Sequence, residues 1–546
     1  MKRTKHPMVY ILRPLWLVFI LIILEVSPTG AQERDAMPDN WHLLDFEEDN
    51  VYGISMEKAY RELLTGKVPD TVIVAVIDSG IDTLHTDLRA VLWKNNAEQG
   101  NDEDSNGYIG DRYGWNFLGG KDKKNVDSAP PEFIRQYFWL RGTYEGKAPG
   151  DIPRKQRREY QLWKQIRDKF RGDSLELVTY YQKTYQELEE GNLRIQEVLD
   201  RQEYTASNLS TMDKSQVGEG NRMYRKLMSR WTKENTTNIE ILTDWRNRME
   251  EVEQESRFSY AAYAPKANLR QEIIGDNYYN FKDKYYGNPF VQDGIGSHGT
   301  HVAGIIGAIR NNEEGINGIV NAVKLMILKA VPAKGDEYDK DIALAIRYAV
   351  DNGAKIINMS FAKDFSPERE WVEQAIRYAK RKDVLLINGA GNDGRNVDTV
   401  PKYPISKPMN KKKRFSNMIT VGASGPTEQN LITDFSNYGQ NVVDVFAPGY
   451  YIYSTVERGY KKLSGTSMAS PVVTGIAAVL RSYYPKLSAR QVKEIIEKSV
   501  IHIDQPVLTP GFIPEKRDHV MMDQLCKTGG IVNAYKAIEL AESISK

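Results

Sequence analysis

Apolar residues follow two rhythms along this chain. The run Thr71–Ile77 (TVIVAVI) is apolar on both faces and leads directly into Asp78. A strand of that kind belongs in a parallel sheet covered on both sides. Similar runs recur at Lys324–Val331, Lys355–Met359, Val384–Ile387 and Met418–Val421. Between them the apolar positions change to helical spacing, as in Ile342–Asp351 and Trp371–Lys380. This alternation predicts an α/β fold: a doubly wound, mainly parallel sheet flanked by helices. In such folds functional residues gather beyond the carboxyl ends of the strands. Asp78, Ser360 and Asn392 each stand just past a predicted strand end.

From about residue 130 to 266 the alternation stops. The stretch is rich in Arg, Lys, Glu, Gln and Tyr, and its apolar residues keep helical spacing. Trp163, Ile166 and Phe170 share a face, as do Val178, Tyr181, Tyr185 and Leu188, and again Leu242, Trp245, Met249 and Val252. Gly191-Asn192 and Gly218–Asn221 predict breaks between helices. Residues 130–266 therefore read as a large helical insertion within the α/β body.

The amino terminus has a third pattern. Lys2, Arg3, Lys5 and Arg13 precede an apolar run, Leu15–Leu24, followed by small residues up to Ala31. The run is short against the roughly 20 residues that cross a bilayer. Residues 1–31 read as a cleaved signal peptide, and the protein as exported to the periplasm, the cell surface or the medium. Membrane attachment follows only if that segment stays uncleaved. A formal net charge of +1 gives no basis for a nucleic-acid partner. The single cysteine, Cys526, excludes an intrachain disulfide, so stability falls to packing and bound ions.

Three segments carry candidate chemistry. In Val74–Asp82 (VAVIDSGID) a carboxylate closes a buried strand, and a glycine permits the sharp exit. In Gly296–Gly307 (GSHGTHVAGIIG) His298 opens a helix of small and apolar residues. In Leu463–Pro471 (LSGTSMASP) Ser467 starts another, beside backbone N–H groups that no helical carbonyl satisfies. A serine hydroxyl becomes a nucleophile when an imidazole takes its proton, and a carboxylate on the far ring nitrogen orients that imidazole. Asn392, in Asn388–Gly394 (NGAGNDG), can donate an amide hydrogen to the developing oxyanion.

In the order Asp, His, Ser and in all three surrounding motifs, the sequence resembles the subtilisin-like serine proteases. The resemblance covers about residues 70–120 and 268–545 and implies a catalytic domain over 32–545. It implies catalytic roles for Asp78, His298 and Ser467 and an oxyanion-hole role for Asn392. It also implies that Ser360, Phe361 and Ala362 pair with an extended peptide or protein substrate. The implied reaction is peptide-bond hydrolysis through an acyl-enzyme, with no cofactor needed for the chemistry. A second reading is a catalytically silent binding protein of the same fold that works through its helical insertion. Asp78 and His298 lie 220 residues apart, far beyond the family's usual few tens. The insertion accounts for most of the excess, and loop closure grows only logarithmically costlier with length.

The loop Asn101–Asp111 sets oxygens at Asp102, Asp104 and Asn106, with Gly107 following. This opens like a calcium-binding EF-hand loop, but Tyr113 stands where the closing glutamate belongs. Asp102, Asp104 and Asn106 are the candidate ligands of a structural calcium; the alternative is an acidic turn beside Trp115.

Overall fold

A computed structural model describes residues 37–98, 101–205, 208, 237–243, 245–246, 249–250, 269–292, 297–409, 413–512 and 517–546. The signal segment and Gly218–Asn221 lie outside the described residues. The chain divides into two compact units, one made of Pro38–Glu132 with Asn268–Lys546 and one that takes in Phe133–Ala267.

The larger unit is built on a nine-stranded sheet in the order β10-β13-β7-β6-β5-β4-β1-β3-β2. Its central strands are β1 (Val72–Asp78), β3 (Val323–Lys329), β4 (Ile356–Met359), β5 (Leu385–Gly389), β6 (Met418–Ser424) and β7 (Val445–Pro448). β2 (Gly114–Asn116) forms one edge, β13 (Gly530–Ile531) and β10 (Ile501–His502) the other. All neighbours run parallel except β10 and β13. Outside this sheet, β8 (Ile452–Val456) and β9 (Gly459–Leu463) form a hairpin, and β11 (Val507–Leu508) pairs with β12 (His519–Val520).

The main helices are α1 (Glu132–Tyr144), α2 (Arg157–Leu199), α3 (His298–Gly307), α4 (Asp339–Asp351), α5 (Arg369–Arg381), α6 (Thr466–Tyr483), α7 (Ala489–Lys498) and α8 (Ala534–Ser545). α3 and α6 pack on each other and against the sheet; α4 and α5 pack together in a core with Ala75, Ile77, Leu328, Met359 and Leu386. Val74 and Val76, which alternate with Ala75 and Ile77, are equally buried. Layers on both faces explain why these strands are apolar throughout. The fold is α/β, with a mainly parallel sheet flanked by helices. β1 lies between β3 and β4, so successive strands diverge from it in opposite directions. Its carboxyl end is the switch point where such sheets open a crevice.

The smaller unit is helical. Trp163, Ile166, Leu188 and Ile195 on α2 are buried, and Tyr137 of α1 packs its ring on Trp163 at 5.3 Å. α2 runs unbroken through Gly191-Asn192, contrary to the break expected there. A helical glycine costs only about 1 kcal/mol relative to alanine. Asn192 is buried and accepts hydrogen bonds from Tyr204 Oη and Asn238 Nδ2, both at 2.8 Å. A tertiary contact thus makes use of the residue that reads locally as a stop.

Candidate active site

β1 delivers Asp78 to the switch point almost completely buried. The chain then turns away through Gly80, whose φ of 108° favours glycine. α3 comes to rest on this turn because Gly299 lacks a side chain: a Cβ there would lie 2.1 Å from Gly80 O. That approach brings the first residue of α3 to the carboxylate. His298 Nδ1 donates to Asp78 Oδ1 at 2.7 Å, and Ser79 N donates to the same oxygen at 2.8 Å. An acceptor-only carboxylate makes Nδ1 the protonated nitrogen and leaves Nε2 to act as a base.

Ser467 is the second residue of α6, in the turn whose amides lack helical acceptors. Its hydroxyl donates to Ser360 O at 3.1 Å, while Ser360 Oγ donates back to Ser467 O at 2.9 Å. A buried set of hydroxyls and amides holds this junction. Asn358 Nδ2 and Ser470 Oγ reach Ser360 Oγ at 2.9 and 2.8 Å, and Thr474 Oγ1 donates to Asn358 Oδ1 at 2.8 Å. The buried Asn358 in β4 and Ser470 and Thr474 in α6 thus tie the strand end to the helix start. Sequence reading did not single out Asn358 and Thr474, because lone polar residues in apolar runs have no local signature.

Asn392 follows β5. Its Oδ1 accepts from Thr466 N at 2.8 Å and from Thr466 Oγ1 at 3.0 Å, which turns Nδ2 outward. A methyl built on Gly465 would stand 3.3 Å from Asn392 Nδ2 and 3.5 Å from Ser467 N. These two donors therefore border the same small space, as stabilisation of an oxyanion requires. Phe361 and Ala362 continue from Ser360 beyond β4 and are partly exposed.

His301 lies behind His298 on α3, fully buried, with Nε2 donating to Lys461 O at 2.9 Å. Burial lowers its pKa to about 4, so the ring is neutral. Burial also raises the pKa of the Cys526 thiol.

The acidic loop lies elsewhere. Asp104 joins Glu98 and Asp111, with one oxygen from each within 4.8 Å of the others. Asn106 Nδ2 donates to Asp104 and Asp111, both at 3.0 Å, and Asn95 Nδ2 donates to the same pair at 2.9 and 2.7 Å. Asp102 instead accepts from Gly107 N at 3.1 Å. Burial raises the pKa of Glu98 and Asp111, and the neighbouring acids add to the effect. Three crowded carboxylates form a set that suits a hard cation, with the amide nitrogens of Asn95 and Asn106 now held against them. Glu98 and Asp111 escaped sequence reading because Glu98 precedes the loop and Asp111, its last residue, lies beyond the alternating pattern.

The subtilase family model matches residues 70–524. The chain belongs to the subtilase family of serine peptidases. Among its relatives, a thermophilic serine proteinase of Bacillus sp. (strain AK1) is 38% identical over 205 residues, 37% of this chain and 46% of that one. Thermitase of Thermoactinomyces vulgaris is 34% identical over 254 residues, 45% of this chain and 76% of its own. The cell wall-associated protease of Bacillus subtilis (strain 168) is 33% identical over 285 residues, 50% of this chain and 30% of that one. The match therefore spans less than half the length of the first and third of these.

Proposed function

We propose that this protein is an exported serine endopeptidase that hydrolyses peptide bonds through an acyl-enzyme, with Asp78, His298 and Ser467 as its catalytic set. The observation that carries the reading is the 2.7 Å contact between His298 Nδ1 and the buried Asp78. Ser467 Oγ attacks the scissile carbonyl carbon while His298 Nε2 takes its proton. Asp78 keeps the ring in the productive tautomer and stabilises the imidazolium. Negative charge on the carbonyl oxygen is met by Asn392 Nδ2 and the N–H of Ser467. The amine leaves with the proton from His298, and water, activated by the same ring, releases the acyl group from Ser467.

Peptide or protein is the substrate, paired along Ser360, Phe361 and Ala362. The Ser360 carbonyl that now holds the Ser467 hydroxyl is also the acceptor a peptide N–H would use. Substrate binding thus frees the hydroxyl for His298. Glu98, Asp104 and Asp111 are the proposed holders of a structural calcium, with Asn106 in support; the ion takes no part in the chemistry. Export rests on the leader pattern of residues 1–31. Among the described residues no helix is long and apolar enough to cross a membrane.

A short peptidyl nitrophenyl ester tests the reaction. One equivalent of nitrophenol per protein should appear in a burst before steady turnover. Release no faster than in buffer would remove the assignment.

A further inference from the structure

The sheet leaves a slot one strand wide beside the site. β1 ends at Asp78, whose carbonyl accepts from Ala330 N at 3.0 Å and Val331 N at 3.2 Å, and the chain then departs, with Ile81 N bonding Val291 O. Its neighbours continue: the chain runs on past β4 through Ser360–Lys363, and β3 is followed by the segment that leads to Glu337. Two strands flanking a missing one stand about 9–10 Å apart. An extended peptide laid there completes the sheet by strand addition.

Along 360–363 the backbone groups alternate in direction. Ser360 turns its carbonyl toward Ser467. Lys363 faces the other way: its N–H donates to Tyr403 O at 3.0 Å and its carbonyl accepts from Tyr403 N at 2.8 Å. Ala362 has the orientation of Ser360, and none of the described residues bonds its N–H or C=O. The slot edge therefore offers Ser360 and Ala362 for pairing, and nothing from Lys363.

The Lys363 side chain then crosses the slot. Its Nζ donates to Glu337 O at 2.9 Å on the far bank and pairs with Glu132 at 2.9 Å and Asp339 at 2.8 Å. All three charged side chains are 2% exposed. The gap left between Phe361, Lys363, Glu337, Asp339 and Val372 is about 10 Å³, barely the room of one water. Glu132 N is itself fixed by Asp336 Oδ2 at 2.8 Å.

We propose that Lys363, braced by Glu132 and Asp339, is a specificity-determining wall that ends the substrate slot three residues before the scissile bond. This rests on the reading of Ser360–Ala362 as the substrate-pairing edge. In antiparallel register the residue that presents its carbonyl to Ser467 lies opposite Ser360. The third residue, counted toward the amino end, lies opposite Ala362. The fourth meets the buried ammonium and its carboxylates. The wall admits short amino-side segments, or longer ones that bend away after the third residue.

Two measurements on one peptide series, with one to five residues before the scissile bond, test this. With the wild-type enzyme kcat/KM should climb to the third residue, and the fourth should change it less than twofold. A tenfold gain from the fourth residue would overturn the wall. The same peptides are titrated against Ser467→Ala protein, which reads binding without chemistry. Affinity should level off at three residues, and Lys363→Ala in that background should restore a fivefold or greater gain from the fourth. A wild-type slot that gains affinity at the fourth residue sinks the proposal; so does one that binds no peptide. Wild-type protein that cleaves nothing, while affinity still levels off at three, refutes the peptidase reading and leaves the wall standing.

Discussion

In the proposed mechanism Asp78 acts through His298, so its amide variant isolates orientation from charge. Asp78→Asn keeps the shape but offers the ring a donor where it needs an acceptor. We expect kcat to fall by about 10⁴-fold with KM little changed, because the loss is confined to the transition state. A fall below tenfold would contradict the role. His42 and His301 make a different prediction. Burial holds their pKa values at about 3 and about 4, below the ordinary 6.5. The unfolded chain therefore binds protons first, and stability present above pH 6.5 is lost as the pH falls toward 4. For His301 this is on the order of 3 kcal/mol. Urea midpoints of His301→Gln should decline less steeply than those of wild type between pH 7 and 4; equal slopes would contradict it. At this scale the motifs around Asp78, His298, Asn392 and Ser467 were legible in the sequence, because the proposed chemistry needs a fixed neighbourhood. Lys363 was not, because its partners Glu132 and Asp339 come from distant parts of the chain.

Strands β1, β3, β4, β5 and β6 can be read from the sequence within a few residues, since continuous apolar runs have few other uses. β2, β10 and β13 are two or three residues long, too short for any period to show. The insertion's helices are legible by face, yet the α2 boundary misled because Asn192 is satisfied from outside its own helix. Where the chain re-enters the larger unit, a buried ionic cluster adds to the apolar packing of Ile274 and Tyr286. Arg270 pairs with Asp276 at 2.9 Å and Asp341 at 2.6 Å, and Lys340 with Asp276 at 2.6 Å. The Arg270 guanidinium also lies over the rings of Tyr278, Tyr286 and Tyr338. Removing one partner strands buried carboxylates against α4. Arg270→Ala should cost about 3–5 kcal/mol in chemical denaturation. A change under 1 kcal/mol would mean that the cluster does not tie this segment down.

Taken as a whole, the molecule has no disulfide to restrain its unfolded state, so an ion at Glu98, Asp104 and Asp111 would act on the native fold alone. Treatment with EGTA should lower Tm by about 5 °C, reversed by added calcium but not by magnesium. An unchanged Tm would return this loop to an acidic turn. The central claim is that a hydroxyl, an imidazole and a buried acid from distant segments act as one nucleophilic unit. A fluorophosphonate adduct located by peptide mass spectrometry tests it most directly. The account predicts a single adduct on Ser467 in the wild-type protein, and none in His298→Ala. A folded wild-type protein that stays unmodified, or carries its adduct on another residue, would contradict it.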